Sequence, residues 1–125
     1  MKRAYRLRHG RDFRRLQRAG RVYMHPLLVL RVAPNGLPHV RVGVTAGRVV
    51  GKAVVRNRVK RRLREITRAR LPRLRPGYDL WWIARRRAAT ASFAELEAAV
   101  DELLRRAHML ASPPNDLAPH AERSP

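Results

Sequence analysis

A chain of 125 residues with 45% hydrophobic content can build one small core, which excludes a wholly disordered basic tail. Lys and Arg outnumber Asp and Glu 29 to 9, giving a formal net charge of +20. Such a field selects polyanionic partners, nucleic acid ahead of an anionic membrane, since no apolar run of about 18 residues is present to span a bilayer. The N-terminus (Met1-Lys2-Arg3-Ala4-Tyr5-Arg6-Leu7-Arg8) lacks the apolar core of a signal peptide, and there is no cysteine for disulfides or thiolate chemistry. A cytoplasmic protein is expected. Arg is heavily preferred over Lys, which suits planar phosphate and base contacts, although a GC-rich genome would give the same bias.

In chain order, residues 1–9 form a basic, mostly irregular arm. A short helix is predicted near Arg11–Ala19, with Asp12 in its first turn, Phe13 and Leu16 on one face, and Gly20 as its stop. Residues 22–33 read as a strand interrupted at Pro26, and His39–Thr45 as a second, in which Val40, Val42 and Val44 alternate with His39, Arg41 and Gly43. The turn Pro34-Asn35-Gly36-Leu37-Pro38 between them predicts a hairpin. Ala46–Lys52 is a glycine-bearing connection with a possible strand piece at Arg48-Val49-Val50.

A basic helix is predicted from Val54 to Arg70. At 100° per residue, Val55, Val59, Leu63 and Ile66 form an apolar stripe, and Asn57, Lys60, Arg61, Arg64 and Arg68 occupy the opposite side. Positions 56, 60, 64 and 68 are all cations at i, i+4 spacing. That arrangement is self-repelling, and a polyanion would offset it. Pro72, Pro76 and Gly77 end the helix. Tyr78–Ala84 is an aromatic, β-prone strand that places Trp81 and Trp82 on opposite faces. Ser92 and Glu95 form a capping box for a last helix reaching about Met109. The predicted fold is an α/β (α+β) sandwich of order α-β-β-(β)-α-β-α, with helices on a mixed sheet. Residues 1–111 are expected to form one domain, with residues 1–9 as its basic arm, and the proline-rich residues 112–125 a disordered tail.

The sequence shows little catalytic material. Four of the nine acidic residues (Glu95, Glu97, Asp101, Glu102) share the last helix and read as solvated faces or partners for Arg, while Asp12, Glu65 and Asp79 are isolated in sequence. The five histidines make no metal-ligand spacing, so no metal site is expected in the protein itself. Gly43, Gly47 and Gly51 recur every four residues, but without the Lys-Ser/Thr pair of a phosphate loop they read as an ordinary loop or bulge. What is present is a phosphate-gripping helix face with Asn57 as a hydrogen-bonding group. Tyr5, Phe13, Tyr23, Arg31, Arg41 and Arg48 are candidates for a single-strand groove. For Phe13 and Tyr23 a core position is equally compatible.

The run Gly51-Lys52-Ala53-Val54-Val55-Arg56-Asn57-Arg58-Val59-Lys60-Arg61-Arg62-Leu63-Arg64-Glu65 closely resembles the signature of the bacterial ribonuclease P protein subunit. The likeness extends through Arg6-Leu7, Asp12-Phe13 and Asp79–Arg85, covering about residues 5–109. The resemblance implies a left-handed β-α-β crossover through the basic helix, where general rules predict a right-handed one. It also implies a protein cofactor of a ribozyme that cuts the 5′ leader from precursor tRNA, with catalysis and Mg²⁺ belonging to the RNA subunit. By the same resemblance Arg56, Asn57, Arg58, Lys60, Arg61, Arg64 and Arg68 contact the catalytic RNA, and Phe13, Arg31, Arg41, Arg48 and Lys52 line the leader cleft.

Two departures stand out. The family's serine and paired lysines before Gly51 are Gly47, Arg48 and Val49 here, and aromatics usual on the first helix and first strand correspond to Gln17 and Arg31. Leader binding is therefore expected to be more electrostatic and less dependent on stacking. A ribosomal RNA-binding protein shares the charge and size. A helix-turn-helix DNA binder would use 54–70 as its recognition helix but lacks the short-range preceding helix.

Overall fold

The computed structural model describes residues 2–111, so the tail expected at 112–125 lies outside the described residues. Helix α1 (Gly10–Ala19) precedes strands β1 (Arg21–Met24), β2 (Leu28–Pro34) and β3 (Arg41–Ala46), then helix α2 (Ala53–Arg70), strand β4 (Tyr78–Ala84) and helix α3 (Phe93–Arg106). The expected order and the mixed sheet are both present. The capping box of α3 is present as well, with the Glu95 backbone N–H donating to Ser92 Oγ and the Ser92 N–H to Glu95 Oε1.

The expected hairpin between the second and third strands does not form. The sheet order is β1-β2-β4-β3, with β4 antiparallel to β2 and parallel to β3. The actual hairpin is β1–β2, because the chain turns at His25-Pro26-Leu27 where a single interrupted strand was expected. His25 Nδ1 accepts the Leu27 N–H across that turn. The Pro34–Pro38 segment instead bridges over the start of β4. The Asn35 side chain donates to His39 O and Asp79 Oδ1 and accepts the Leu37 N–H, and the Gly77 N–H donates to His39 O. Prolines at both ends of this segment lack the N–H groups that a tight ladder needs. The strand piece expected at Arg48–Val50 is a 3-10 turn.

Register assigns the two faces. Leu28, Leu30, Val32, Val42, Leu80, Trp82 and Ala84 join Val59, Leu63 and Ile66 of α2 and Leu96, Val100, Leu103 and Leu104 of α3 in the larger core. The predicted stripe of α2 is thus the buried one. Arg70, near the end of α2, ties it to α3 through Asp101 and Glu97. A smaller cluster on the opposite face holds Leu7, Leu16, Ala33 and Trp81, with Phe13 and Ile83 against it. The N-terminal arm is less irregular than expected. After a 3-10 turn at Arg3–Tyr5, Arg6 bridges to Val42 in parallel and Leu7 is buried.

Asp79 is fully buried at the head of β4 and collects hydrogen bonds from Arg15 of α1, Asn35, and both Nε and a terminal nitrogen of Arg41. Arg41 also lies 3.5 Å from Asp12. The hydrogen bonds to Asp79 raise the Arg41 pKa above its ordinary value against the opposing effect of burial. Asp12 and Asp79, distant in sequence, therefore meet around a shared guanidinium. Removing one partner of such a buried group strands the others. Asp79→Ala should lower the unfolding free energy by about 3 kcal/mol, read from the urea midpoint.

Candidate nucleic-acid interface

Helix α2 sorts its own cations. Arg58 donates to Ala89 O and Arg62 to Ala91 O, both laid against the 3-10 segment Arg86–Thr90, while Arg70 is paired as above. The Nε atoms of Arg56 and Arg58 are buried without a partner among the described residues, and Lys60 is half-buried. Asn57, Arg61, Arg64 and Arg68 stand exposed. Among the described residues none of these three arginines has a carboxylate within ion-pair distance, and Arg61, Arg64, Glu65 and Arg68 line an open depression of about 380 Å³.

The second region is the sheet face opposite the larger core. Helix α1 covers one end of it. Phe13 stands edge-on to Trp81, with ring centroids 4.9 Å apart and planes at 78°, and sits directly over Gly43. A Cβ at position 43 would lie 2.8 Å from the Phe13 ring, so the close approach of this ring requires glycine in the middle of β3. The other end is open. Register places Val22, Met24, Val29, Arg31, Trp81, Ile83 and Thr45 on this face, and Val22 and Met24 are large apolar side chains left exposed. Trp81 Nε1 donates to Thr45 Oγ1, and Arg31 donates to Gln17 O from beneath the end of α1. A cavity of about 220 Å³ joins the two regions, lined by Arg6, Arg8, Phe13, Val44 and Arg64 among others.

The groove candidates therefore separate. Phe13 and Arg31 border the open face. Arg41 shares that face but its charge is held by Asp79 and Asp12. Arg48 and Lys52 are exposed beyond the C-terminal end of β3. Tyr23 pairs with Leu30 and packs into the larger core, on the opposite side of the sheet. Tyr5 lies against His39 on the arm.

The family model described as Ribonuclease P matches residues 1–108. The chain belongs to the ribonuclease P protein family. It is 45% identical over 109 residues to the ribonuclease P protein component of Herpetosiphon aurantiacus, covering 87% of this chain and 89% of that one. Its fold is similar to that of the Staphylococcus aureus RNase P protein (TM-score 0.81, 26% identity, 86% of this chain and 99% of that one). It is also similar to the RNase P protein from Thermotoga maritima (TM-score 0.74, 30% identity, 81% of this chain and 96% of that one).

Sequence reasoning missed Val22, Met24 and Thr45 as part of the open face of this family member. Alternation along β1 carries the signal for the first two, but with residues 22–33 taken as one strand interrupted at Pro26, the reversal that sets the register of β1 against β2 is lost. The sequence places Gly43 in a strand and within a run of glycines that reads as an ordinary loop or bulge, but gives no sign that it seats Phe13. Gly43→Ala should push the Phe13 ring off its position and destabilise the fold by about 1–3 kcal/mol. In a Phe13→Ala background the same substitution should cost less, and a double-mutant cycle by urea unfolding measures the coupling.

Proposed function

We propose that this chain is the RNA-binding protein subunit of a ribonuclease P, assisting a catalytic RNA in removing the 5′ leader from precursor tRNA in the cytoplasm, with residues 1–111 as its RNA-binding unit. The carrying observation is the sorting of cations on α2. The helix ties Arg58, Arg62 and Arg70 into the fold and leaves Asn57, Arg61, Arg64 and Arg68 exposed along one side, the three arginines without a carboxylate in ion-pair distance among the described residues. Phosphates of the catalytic RNA would occupy that side, with Arg56, Arg58 and Lys60 along its border. Family membership and the long signature through the same helix support this assignment.

The leader would lie on the open sheet face, against Phe13 and the exposed Val22 and Met24, with Arg31 beside Trp81. Arg48 and Lys52 add phosphate contacts at the end of β3. Arg41 serves the leader indirectly, by holding α1 through Asp79 and Asp12. Single strands bind well where bases meet aromatic and apolar surface and cations track the backbone. The protein contributes position and positive charge, which lowers phosphate repulsion between catalytic RNA and substrate. Mg²⁺ would be held by the RNA subunit, whose phosphates are the abundant hard oxygen ligands in such a complex.

Reconstitution of precursor-tRNA cleavage tests this reading. Cleavage should need the RNA subunit, and the protein's benefit should be largest at low Mg²⁺ and fade as cation concentration rises. Cleavage by the protein alone, or no benefit at low Mg²⁺, overturns it. The double variant Arg61→Ala/Arg64→Ala should weaken RNA-subunit binding and flatten its salt dependence by about two units of slope while leaving the thermal melt unchanged. Phe13→Ala should weaken leader-bearing substrate roughly tenfold relative to leaderless substrate. Equal weakening of both removes the cleft assignment.

A further inference from the structure

Tyr5 has no part in either surface described above, yet the fold holds it firmly. The arm reaches it through a 3-10 turn closed by the Tyr5 N–H donating to Lys2 O. Immediately after it, Arg6 pairs with Val42 and the Leu7 N–H donates to Val42 O at 2.9 Å. The Tyr5 ring meets His39 edge-to-face at 5.4 Å, and the His39 Nε2 is 3.1 Å from Ala4 O. So anchored, the ring lines a cavity of about 370 Å³ together with Lys2, Arg68 and Leu71.

The walls combine one aromatic residue, Leu71 and two cationic residues, Lys2 and Arg68. Its volume lies in the range of small-ligand clefts, and it is open to solvent, as is the depression beside it. It is also continuous with the basic face. Arg68 lines this cavity and the depression shared by Arg61, Arg64 and Glu65, and Arg64 lines that depression and the cavity beside Phe13. The Tyr5 cavity is therefore at the Arg68 end of the exposed α2 side, and the leader-side cavity at the Arg64 end, one helical turn away.

We propose that this cavity receives one unpaired nucleotide of the RNA subunit, its base stacked on Tyr5 and Leu71 and its phosphates held by Arg68 and Lys2. A paired base offers only groove edges, whereas an extruded one presents the π-face that an aromatic wall recognises. The inference rests on the reading that the α2 face carries the catalytic RNA. It adds a base-stacking anchor to a surface that otherwise grips phosphates.

The test is the affinity of full-length protein for transcribed RNA subunit, without precursor tRNA, across a salt series. Tyr5→Ala and Tyr5→Leu should each bind about tenfold more weakly, while Tyr5→Phe, which keeps the ring, stays within about twofold of the parent. Tyr5→Leu retains bulk on the arm, so a loss shared with Tyr5→Ala reports the missing π-face rather than an unseated arm. The salt slope of both should match the parent because no cation is lost, whereas Arg68→Ala should flatten it by about one. Chemical probing of the RNA should show one unpaired nucleotide protected by the parent and by Tyr5→Phe and released by Tyr5→Ala. Parent-like affinity of Tyr5→Ala overturns the proposal, and so does a loss seen only when precursor tRNA is added, which would assign the occupant to the substrate. If Arg61→Ala/Arg64→Ala also binds like the parent, the α2 reading fails as well. If that variant weakens and Tyr5→Ala does not, only the nucleotide site fails.

Discussion

Strand β4 is the constraint on which the remaining structure depends. It lies between β2 and β3 and is packed on both faces, with Leu80 and Trp82 toward α2 and α3 and Asp79 and Trp81 toward α1. A strand with one side of this kind is ordinary. Two buried sides make it the reference against which every other element is positioned. The parallel pairing with β3 requires a crossover, and α2 is that crossover. The helix that carries the exposed charge is thus held at both ends by the strand pair whose other face bears Phe13 and Trp81. The two candidate surfaces are coupled by rigid structure, and the cavity shared by Phe13 and Arg64 lies where they meet.

The opposite face of β4 shows how a strongly cationic chain stays folded. With a net charge of +20, several of its few carboxylates are placed against guanidinium groups that the fold partly buries. Asp79 serves Arg15 and Arg41, and Asp12 lies near the same Arg41. Asp101 and Glu97 both meet Arg70. Backbone carbonyls at Ala89 and Ala91 take Arg58 and Arg62. The remaining cations on α2 face outward together. Their mutual repulsion, about a few tenths of a kcal/mol per i, i+4 pair, is small beside the burial of Val59, Leu63 and Ile66. The core can therefore hold in place a surface that is electrostatically suited only to a polyanion.

Much of this was legible in the chain itself. The apolar stripe of α2, its cationic back, the capping box at Ser92 and Glu95, and the opposed faces of Trp81 and Trp82 follow from periodicity, because side-chain direction is fixed by local geometry. The signature through Gly51–Glu65 carried the family. Local geometry also limits what can be read. Alternation in β2 and β3 says which residues face a core but not which strand lies alongside, so the adjacency of β4 to both was invisible and a hairpin was the natural expectation. Pro26 marked a break in extended structure without revealing that the chain reverses there.

By itself, then, the sequence determined the three helices and the main extended segments, the inward face of each helix, the surplus of positive charge and the family. The tertiary structure alone decided which charges remain available. Arg41 and Arg61 are both cations at unremarkable positions, yet one is locked between Asp79 and Asp12 and the other stands in solvent. It also decided that Gly43 seats Phe13 and that Tyr23 turns into the core while Val22 and Met24 turn out. The physical reason is the same in each case. Burial, ion pairing and close approach depend on residues brought together from distant parts of the chain, and no spacing within one segment encodes them.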